Sequence, residues 1–406
     1  MYDIQLPDNK SLKIRRMLSA YVLRGEIPPE CGTDCHDVQL MCRALRTIAD
    51  AQHRSAHAKT VVDVEDCGAA YRFLLPLLAF TPGNWLLTGT PRLLQRPIEP
   101  LVTVLSGIGA EIQKVDDGWL IHGRPSSSVE TQIFASLQHG ETSTQENDGL
   151  SLTLDASLSS QMASALVLSA PLLGLTTLHL TTTDIPSLSY LRMTLACTKE
   201  YPVAVPGITV PDTPIGALGD WSAALFWFSY ARLHPEREFR LHPLTVESVQ
   251  PDSVIAQWFG ELGVSVKNDG SSVCIRALPL DKKSELVLDV RDNLDTVPVM
   301  AALACLLPAD ITFENVENLR YKESDRLQAL CTQLAPFAEI ALTDRSLRVV
   351  GKGIPAGGDL HFDTHHDHRL AMAFLLFGPQ ACLNDTVCLR KSYPRLLRQL
   401  GGVEGC

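Results

Sequence analysis

The sequence predicts an α/β protein of more than one lobe, each assembled from repeated units with mixed sheets and helices packed inside. Three observations lead there. The chain has 406 residues, and at roughly 150 residues per domain that length suggests two or three domains rather than one. Hydrophobic residues make up 45% and charged residues 20%. That is ample apolar material for folded cores, and it excludes a disordered or collagen-like chain. One supersecondary pattern also recurs: a helix end, a small turn, a strand, a tight turn and a second strand.

Residues 101–123 carry the first copy, with Gly109-Ala110 after the helix and a turn at Asp116-Asp117-Gly118. A weaker copy without the turn runs over 190–210. Residues 258–276 repeat the full pattern, with Leu262-Gly263-Val264 and a turn at Asn268-Asp269-Gly270. Residues 330–350 repeat it again around Thr343-Asp344-Arg345, and 396–403 resembles its first half. Asp-Gly between two apolar runs signals a hairpin, because the tight turn needs positive φ. The spacing is too irregular for a solenoid of fixed period. No low-complexity linker divides the chain, and the cluster of Pro, Gly and Asp over 211–220 marks the crossover between lobes.

Lysine and arginine total 35 against 46 acidic residues, a formal charge of −11. General nucleic-acid binding needs a basic face, so it is not expected here. An anionic ligand would need a local basic cluster set against the global charge. The longest uncharged stretch, 156–183, contains serines, threonines, Gln161, Pro171 and His179 and is too polar to span a bilayer. Lys10, Lys13, Arg15 and Arg16 precede only a short apolar run before Arg24, with no small-residue cleavage site, which reads as no signal peptide. Eleven cysteines, an odd number, read as reduced thiols in a cytoplasm.

Several constellations invite chemistry. Asn9-Lys10-Ser11-Leu12-Lys13-Ile14-Arg15 stands directly before the apolar helix 17–23, where lysine, hydroxyl and helix dipole together hold an anion; the bland alternative is a solvated basic helix end. Ser157, Ser159, Ser160 and Gln161 precede the apolar helix 162–168 and suit a phosphate, although ordinary capping explains one serine. Lys322 and Arg326, four apart, would repel on one helix face unless a shared anionic ligand removes that cost. Glu323 beside them is placed to donate or accept a proton, against the alternative of a mixed-charge solvated helix. Asp367 is a candidate N-cap for the helix 370–377, which brings Arg369 near the helix mouth. His365, His366 and His368 are too crowded along the chain to converge on one metal ion. Cys31-x3-Cys35-His36-x5-Cys42 is only loosely zinc-like and reads better as buried thiols. Arg72, Arg96 and Lys391 are further cation candidates, each with the alternative of a lone surface side chain.

Taken in order, Lys10-Ser11…Arg15, Arg96-Pro97-Ile98, Ser159-Ser160-Gln161, Lys322-Glu323-Ser324-Asp325-Arg326, Asp367-His368-Arg369 and Lys391-Ser392 make the chain resemble the 5-enolpyruvylshikimate-3-phosphate synthase family from Leu6 to Pro394. The resemblance implies an α/β fold of two lobes, each of three repeated βαβαββ units (an inside-out α/β barrel). It divides the chain into 9–218, mainly the shikimate 3-phosphate side, and 1–8 plus 219–406, mainly the phosphoenolpyruvate and proton-transfer side. The active site is expected in the cleft between the lobes. The implied reaction moves the enolpyruvyl group of phosphoenolpyruvate to the 5-hydroxyl of shikimate 3-phosphate, with no cofactor and no metal, in a cytoplasmic monomer without nucleic-acid or membrane partners.

By the same resemblance, Ser159, Ser160 and Ser187 hold the shikimate phosphate and Arg15 and Ser11 lie on its carboxylate side. Gln161, Tyr190, Asn318 and Lys322 complete that subsite. Lys10, Gly68, Arg96, Gln161, Arg326, Arg369 and Lys391 grip phosphoenolpyruvate, with Arg72 and His368 as further candidates. Asp295 accepts the 5-hydroxyl proton, with capping of the helix near Val297 as its structural alternative. Glu323 exchanges a proton with the methylene carbon, and Lys10 assists. Asp66-Cys67-Gly68-Ala69-Ala70-Tyr71-Arg72 departs from the family pattern, Asn-Ala-Gly-Thr-Ala-x-Arg: an acid replaces an amide and a hydroxyl is lost. The N-terminus reads as short and lacking a strand. Two rival activities are a UDP-N-acetylglucosamine enolpyruvyl transferase, whose loop cysteine Cys67 does not match, and a non-catalytic anion-binding relative.

Overall fold

The computed structural model describes residues 1–27, 29, 35–52, 58–124, 149–182, 184–210, 212–279, 284–353 and 359–404. Cys31 of the cysteine-histidine motif lies outside them. Packing divides the chain into two units: Met1–Lys10, Thr33–His36 and Thr213–Cys406 form one, and Ser11–Gly32 with Asp37–Asp212 form the other. We call them the first and second units.

The strands up to the middle of the chain are β1 (Tyr2–Gln5), β2 (Lys59–Asp63), β3 (Gly83–Thr88), β4 (Glu111–Val115), β5 (Gly118–Gly123), β6 (Leu150–Leu154), β7 (Leu175–Leu180) and β8 (Glu238–His242). They continue as β9 (Val264–Asp269), β10 (Ser272–Ala277), β11 (Ser284–Asp289), β12 (Ala309–Glu314), β13 (Ala338–Leu342), β14 (Ser346–Gly351), β15 (Leu360–Phe362) and β16 (Ala381–Leu383). The first unit holds sheets of order β1-β8-β10-β9 and β11-β12-β14-β13 and the pair β15-β16; the second holds β2-β3-β5-β4 and the pair β6-β7. The four-stranded sheets share one plan, a parallel pair followed by an antiparallel hairpin.

The three hairpins form where the turn signals lie, and their turn chemistry differs from one to the next. In β9–β10, Asp269 faces Ser272, so Gly270, with φ +61°, opens a loop of Gly270 and Ser271. In β4–β5, Val115 faces Gly118, leaving Asp116 and Asp117 as the turn. Gly118 is glycine for another reason: its φ is +141°, and a Cβ there would run into the carbonyl oxygen of Leu87 on β3. The β13–β14 loop has no glycine. There the Thr343 hydroxyl accepts from the N–H groups of Arg345 and Ser346 at 3.3 and 2.9 Å, a side chain standing in for backbone turn bonds. The weak copy over 190–210 is reduced to the helix Leu188–Cys197 and a single parallel bridge between Thr177 and Ala204.

The N-terminus does not lack its strand. Tyr2–Gln5 runs parallel to β8 and completes that sheet. Alternation explains the placement, since Ile4 is buried between exposed Asp3 and Gln5.

Helices, not strands, fill the interior of the first unit. Every side chain from Trp221 to Ala231 is buried, as is every one from Val297 to Cys305. A helix apolar on all faces has to be a core helix. Phe226, Trp227 and Tyr230 lie against one another and Trp227 against Phe239, with ring centroids 5.4–6.0 Å apart, each ring contributing about 1.5–3 kcal/mol by burial. The Trp227 indole N–H donates to the Tyr393 hydroxyl at 2.8 Å. No described helix is long and apolar enough to cross a membrane.

Candidate active site

One topological rule positions nearly all of the expected site residues. Five parallel strand pairs occur among the described residues: β1–β8, β2–β3, β6–β7, β11–β12 and β15–β16. Ligand sites in α/β sheets form beyond the carboxyl ends of parallel strands, where the next helix begins with free N–H groups. Lys10, Ser11 and Arg15 follow β1, Gly68 follows β2 and Arg96 follows β3. Ser159, Ser160 and Gln161 follow β6, and Ser187 and Tyr190 follow β7. Asp295 follows β11, and Asn318, Lys322, Glu323 and Arg326 follow β12. His368 and Arg369 follow β15, and Lys391 follows β16.

In the first unit these loops converge on Asp295. Its carboxylate meets Lys322 Nζ at 3.3 Å, Arg326 NH1 at 2.9 Å and Arg369 NH2 at 3.3 Å. Burial alone would raise its pKa, but Lys322, Arg369, Arg326 and Lys10 outweigh burial and hold it well below the ordinary carboxylate range. Arg326 is fully buried and is gripped by three acids. Besides Asp295, its Nε and NH2 donate to Asp367 at 2.8 and 3.1 Å, and NH2 donates to Glu323 at 2.9 Å. Burial would loosen its proton, and Asp367, Glu323 and Asp295 reverse that, so it is charged throughout.

The expected repulsion of Lys322 and Arg326 on one helix face does not arise. The helix begins only at Arg326, and Lys322 sits beyond the 3₁₀ turn Glu317–Tyr321 that carries Asn318. The anion that joins the two cations is the protein's own Asp295. Nor does Asp295 cap the helix Val297–Leu306: the residue before that helix is Thr296, which makes no side-chain cap.

Asp367 does cap its helix, which spans His368–Leu375 rather than 370–377. It accepts from the Arg369 N–H at 2.9 Å and the Ser324 hydroxyl at 3.0 Å while holding Arg326. The neighbouring histidines part company. His365 and His366 reach outward to Asp363 (3.5 Å) and Asp385 (2.8 Å). His368 points inside, 1% exposed, with both ring nitrogens unpartnered among the described residues. Burial first, then Lys10 and Arg369, push its pKa far down, so it is a neutral imidazole and its 3.8 Å approach to Asp367 is no ion pair. Among the described residues no three metal-binding side chains gather; Cys35 and Cys42 are buried thiols. Lys391 is buried at the end of the 3₁₀ turn Val387–Lys391.

In the second unit, Ser159 caps the helix Ser160–Leu168, its hydroxyl accepting from the Gln161 N–H at 3.3 Å. Gln161 Oε1 accepts from Arg72 NH1 at 2.8 Å, which turns its amide nitrogen the other way. Arg72 also donates to the Pro97 carbonyl from Nε and NH2, at 3.3 and 3.1 Å, tying the Arg96 loop to Gln161. Arg96 lies against Gly68, where a Cβ would collide with its NH1. Cys67 is buried and caps the helix Gly68–Ala79, its sulfur accepting from the Ala70 N–H at 3.5 Å. Ser187 stands before the helix Leu188–Cys197 with φ +59°, a left-handed conformation uncommon for serine. Its side chain makes no cap bond.

A family model described as EPSP synthase (3-phosphoshikimate 1-carboxyvinyltransferase) matches residues 3–400. The chain belongs to the EPSP synthase family. The 3-phosphoshikimate 1-carboxyvinyltransferase of Bacteroides fragilis is 30% identical over 409 residues, covering 96% of this chain and 92% of the relative. That of Clostridium acetobutylicum is 26% identical over 438 residues, covering 98% and 95%. Among solved structures, an EPSP synthase from Acinetobacter baumannii superposes with a TM-score of 0.66 at 18% identity, covering 98% of this chain and 95% of that one. The enolpyruvyl transferase NikO from Streptomyces tendae gives 0.63 at 16%, covering 100% and 95%. At those identities the structures speak for the mixed α/β fold alone.

For this member of the EPSP synthase family, sequence reading missed the buried polar contacts next to Lys10 and Asp295. Asn9, set beside Lys10, is a buried hub whose amide donates to Asp220 Oδ1 at 2.7 Å and Gln250 Oε1 at 2.9 Å. Asp252, buried, accepts from the Ser222 hydroxyl and from Asn293 Nδ2 at 3.1 Å, two residues before Asp295. The available signal was the Asp220-Trp221-Ser222 start of an apolar helix, a capping pattern. Gln250 and Asp252 stand in a polar segment that offers no periodicity.

Proposed function

We propose that this chain transfers the enolpyruvyl group of phosphoenolpyruvate to the 5-hydroxyl of shikimate 3-phosphate, releasing phosphate, as its family and its named relatives do. The observation that carries the reading is Asp295 held among Lys322, Arg326 and Arg369 with Glu323 on the same arginine. Two acids and converging cations are what proton transfer on a doubly anionic substrate requires. Binding alone would need the cations but not the acids, which disfavours a non-catalytic relative. A UDP-N-acetylglucosamine transferase is disfavoured by the named relatives and by Cys67, buried as a helix cap.

In this reading Ser159, Ser160 and Ser187 take the shikimate phosphate, and Ser11 and Arg15 the carboxylate, with Gln161, Tyr190, Asn318 and Lys322 around the ring. Lys10, Gly68, Arg96, Gln161, Arg326, Arg369 and Lys391 take phosphoenolpyruvate. Asp295 accepts the 5-hydroxyl proton as that oxygen bonds to C2 of phosphoenolpyruvate, while Glu323 delivers a proton to the methylene carbon. The tetrahedral intermediate then loses phosphate as the bond from C2 to the phosphate oxygen breaks, the leaving phosphate takes up the proton held by Asp295, and the methyl group returns a proton to Glu323. As phosphoenolpyruvate draws Arg326 and Arg369 toward itself, and shikimate 3-phosphate draws Lys322, Asp295 loses their field and becomes a stronger base.

We also read the chain as two lobes, 9–218 and 1–8 plus 219–406, each of three βαβαββ units, acting as a cytoplasmic monomer without a cofactor. The deciding experiment measures phosphate release with each substrate omitted in turn and with UDP-N-acetylglucosamine as the rival acceptor. Release that needs shikimate 3-phosphate and yields its enolpyruvyl ether supports the assignment. Release with the UDP-sugar, or none from folded protein, overturns it.

A further inference from the structure

Arg15 is a buried cation with no carboxylate beside it among the described residues. It is 2% exposed. Its guanidinium lies 5.0 Å from the Phe73 ring centroid and 5.8 Å from that of Tyr190. NH1 donates to the Ser11 carbonyl at 2.9 Å, and NH2 has no partner among the described residues. Burial lowers its pKa to about 10, which leaves it charged at neutral pH. A buried charge in that setting is costly unless something anionic meets it.

What fixes the direction of this group is the fully buried Thr194. Arg15 Nε donates to Thr194 Oγ1 at 2.7 Å. That oxygen lies 2.9 Å from both the Ser164 hydroxyl and the Tyr190 carbonyl, so the Thr194 proton has an acceptor on the far side. Thr194 stands on the helix Leu188–Cys197, which Ser187 opens, and Ser164 on the helix Ser160–Leu168, which Ser159 caps. One hydroxyl pair therefore locks the guanidinium and joins the two helices whose first residues carry the serines expected at the phosphate. With Nε held by Thr194 and one N–H by Ser11, the end-on face of the fork is left to meet a planar carboxylate.

We infer that Thr194, backed by Ser164, is the positioning residue of the shikimate 3-phosphate subsite, setting the angle at which Arg15 presents its guanidinium to the ring carboxylate. The inference rests on the assignment of Arg15 to that carboxylate made above. It makes Thr194 a determinant of acceptor affinity and leaves phosphoenolpyruvate untouched.

The test uses the full chain and shikimate 3-phosphate, with affinity by calorimetry, KM for each substrate and the melting temperature. Variants are Thr194→Val, Thr194→Ser, Ser164→Ala, Arg15→Ala and the double variant Arg15→Ala with Thr194→Val. Loss of a hydrogen bond to a charged group predicts roughly 10-fold weaker shikimate 3-phosphate binding in Thr194→Val, with phosphoenolpyruvate KM within about twofold. Thr194→Ser restores affinity, and Ser164→Ala, which keeps the Thr194 hydroxyl, gives a smaller loss. Thr194→Val adds nothing on the Arg15→Ala background. Arg15→Ala without effect on affinity sinks the carboxylate assignment and the inference with it. Arg15→Ala weak but Thr194→Val unchanged overturns the inference while the assignment stands. So does a Thr194→Val loss that adds fully to Arg15→Ala or raises both KM values alike, since that is a packing defect. Should Thr194→Val not fold, Ser164→Ala and Thr194→Ser carry the comparison.

Discussion

Replacing Asp295 by asparagine separates two consequences of one charge. The carboxylate stands 3.3, 2.9 and 3.3 Å from Lys322, Arg326 and Arg369 and its side chain is 22% exposed. At an effective dielectric of about 20, each unit pair near 4 Å attracts by about 4 kcal/mol before desolvation. Desolvation and the shared claims of Glu323 and Asp367 on Arg326 leave a net of roughly 1–2 kcal/mol per contact, the usual size for a charged hydrogen bond. A phosphate that takes these cations has to take them from Asp295. The Asp295→Asn amide would keep the shape and surrender the claim, so phosphoenolpyruvate or inorganic phosphate should bind roughly 10-fold tighter in the presence of shikimate 3-phosphate. Turnover should fall by about 10²–10⁴ because the general base is gone. Calorimetric titration with phosphate and single-turnover phosphate release read the two effects apart. Unchanged turnover would refute the proton-acceptor role; weaker phosphate binding would refute the competition between Asp295 and the substrate.

Three further outcomes follow from specific contacts. Gly68→Ala should raise the phosphoenolpyruvate KM while sparing that for shikimate 3-phosphate, because its new Cβ overlaps Arg96 NH1. Arg96→Ala should do the same, and equal loss for both substrates would show that Arg96 is only structural. Asp252 is pushed up to about 6, chiefly by burial and then by Asp295, against its hydrogen bonds from Ser222 and Asn293. A carboxyl raised in the folded state binds more protons there than unfolded, so stability declines as pH rises from about 4 to about 6. Asp252→Asn should flatten that decline in a series of melting curves, and an unaltered pH slope would show that the group is not buried in its protonated form.

How far the sequence reached can be judged residue by residue. The hairpins were visible because turn residues between apolar runs act locally. Even so, Gly118 owes its identity to Leu87 on a neighbouring strand, which no local signal reveals. The cations were visible as motifs because each stands in the short segment after a strand. Their partners were not. Asp367 read as a helix cap and is one, yet its grip on Arg326 spans 41 residues of sequence. Lys322 and Arg326 read as neighbours on a helix, and a 3₁₀ turn undid the periodicity on which that rested. Thr194 falls unmarked within the weak copy over 190–210, since a buried hydroxyl has no signature until the arginine it holds is placed.

The two units solve the burial of cations differently, and the difference bears on how each meets an anion. In the first unit every guanidinium of the cluster faces a carboxylate of the protein, so an incoming phosphate exchanges one negative partner for another. Its net gain is then small. In the second unit Arg15 is held by a hydroxyl, a carbonyl and two rings, all uncharged. A carboxylate arriving there adds a charge pair where none existed, and the attraction is screened little because the group is buried. The chain carries −11 overall, so neither site draws anions by bulk charge. In the proposed reading selectivity therefore comes from placement: cations stationed past the carboxyl ends of parallel strands, neutralised by exchangeable acids in the first unit and, at Arg15 in the second, steered by a neutral hydroxyl.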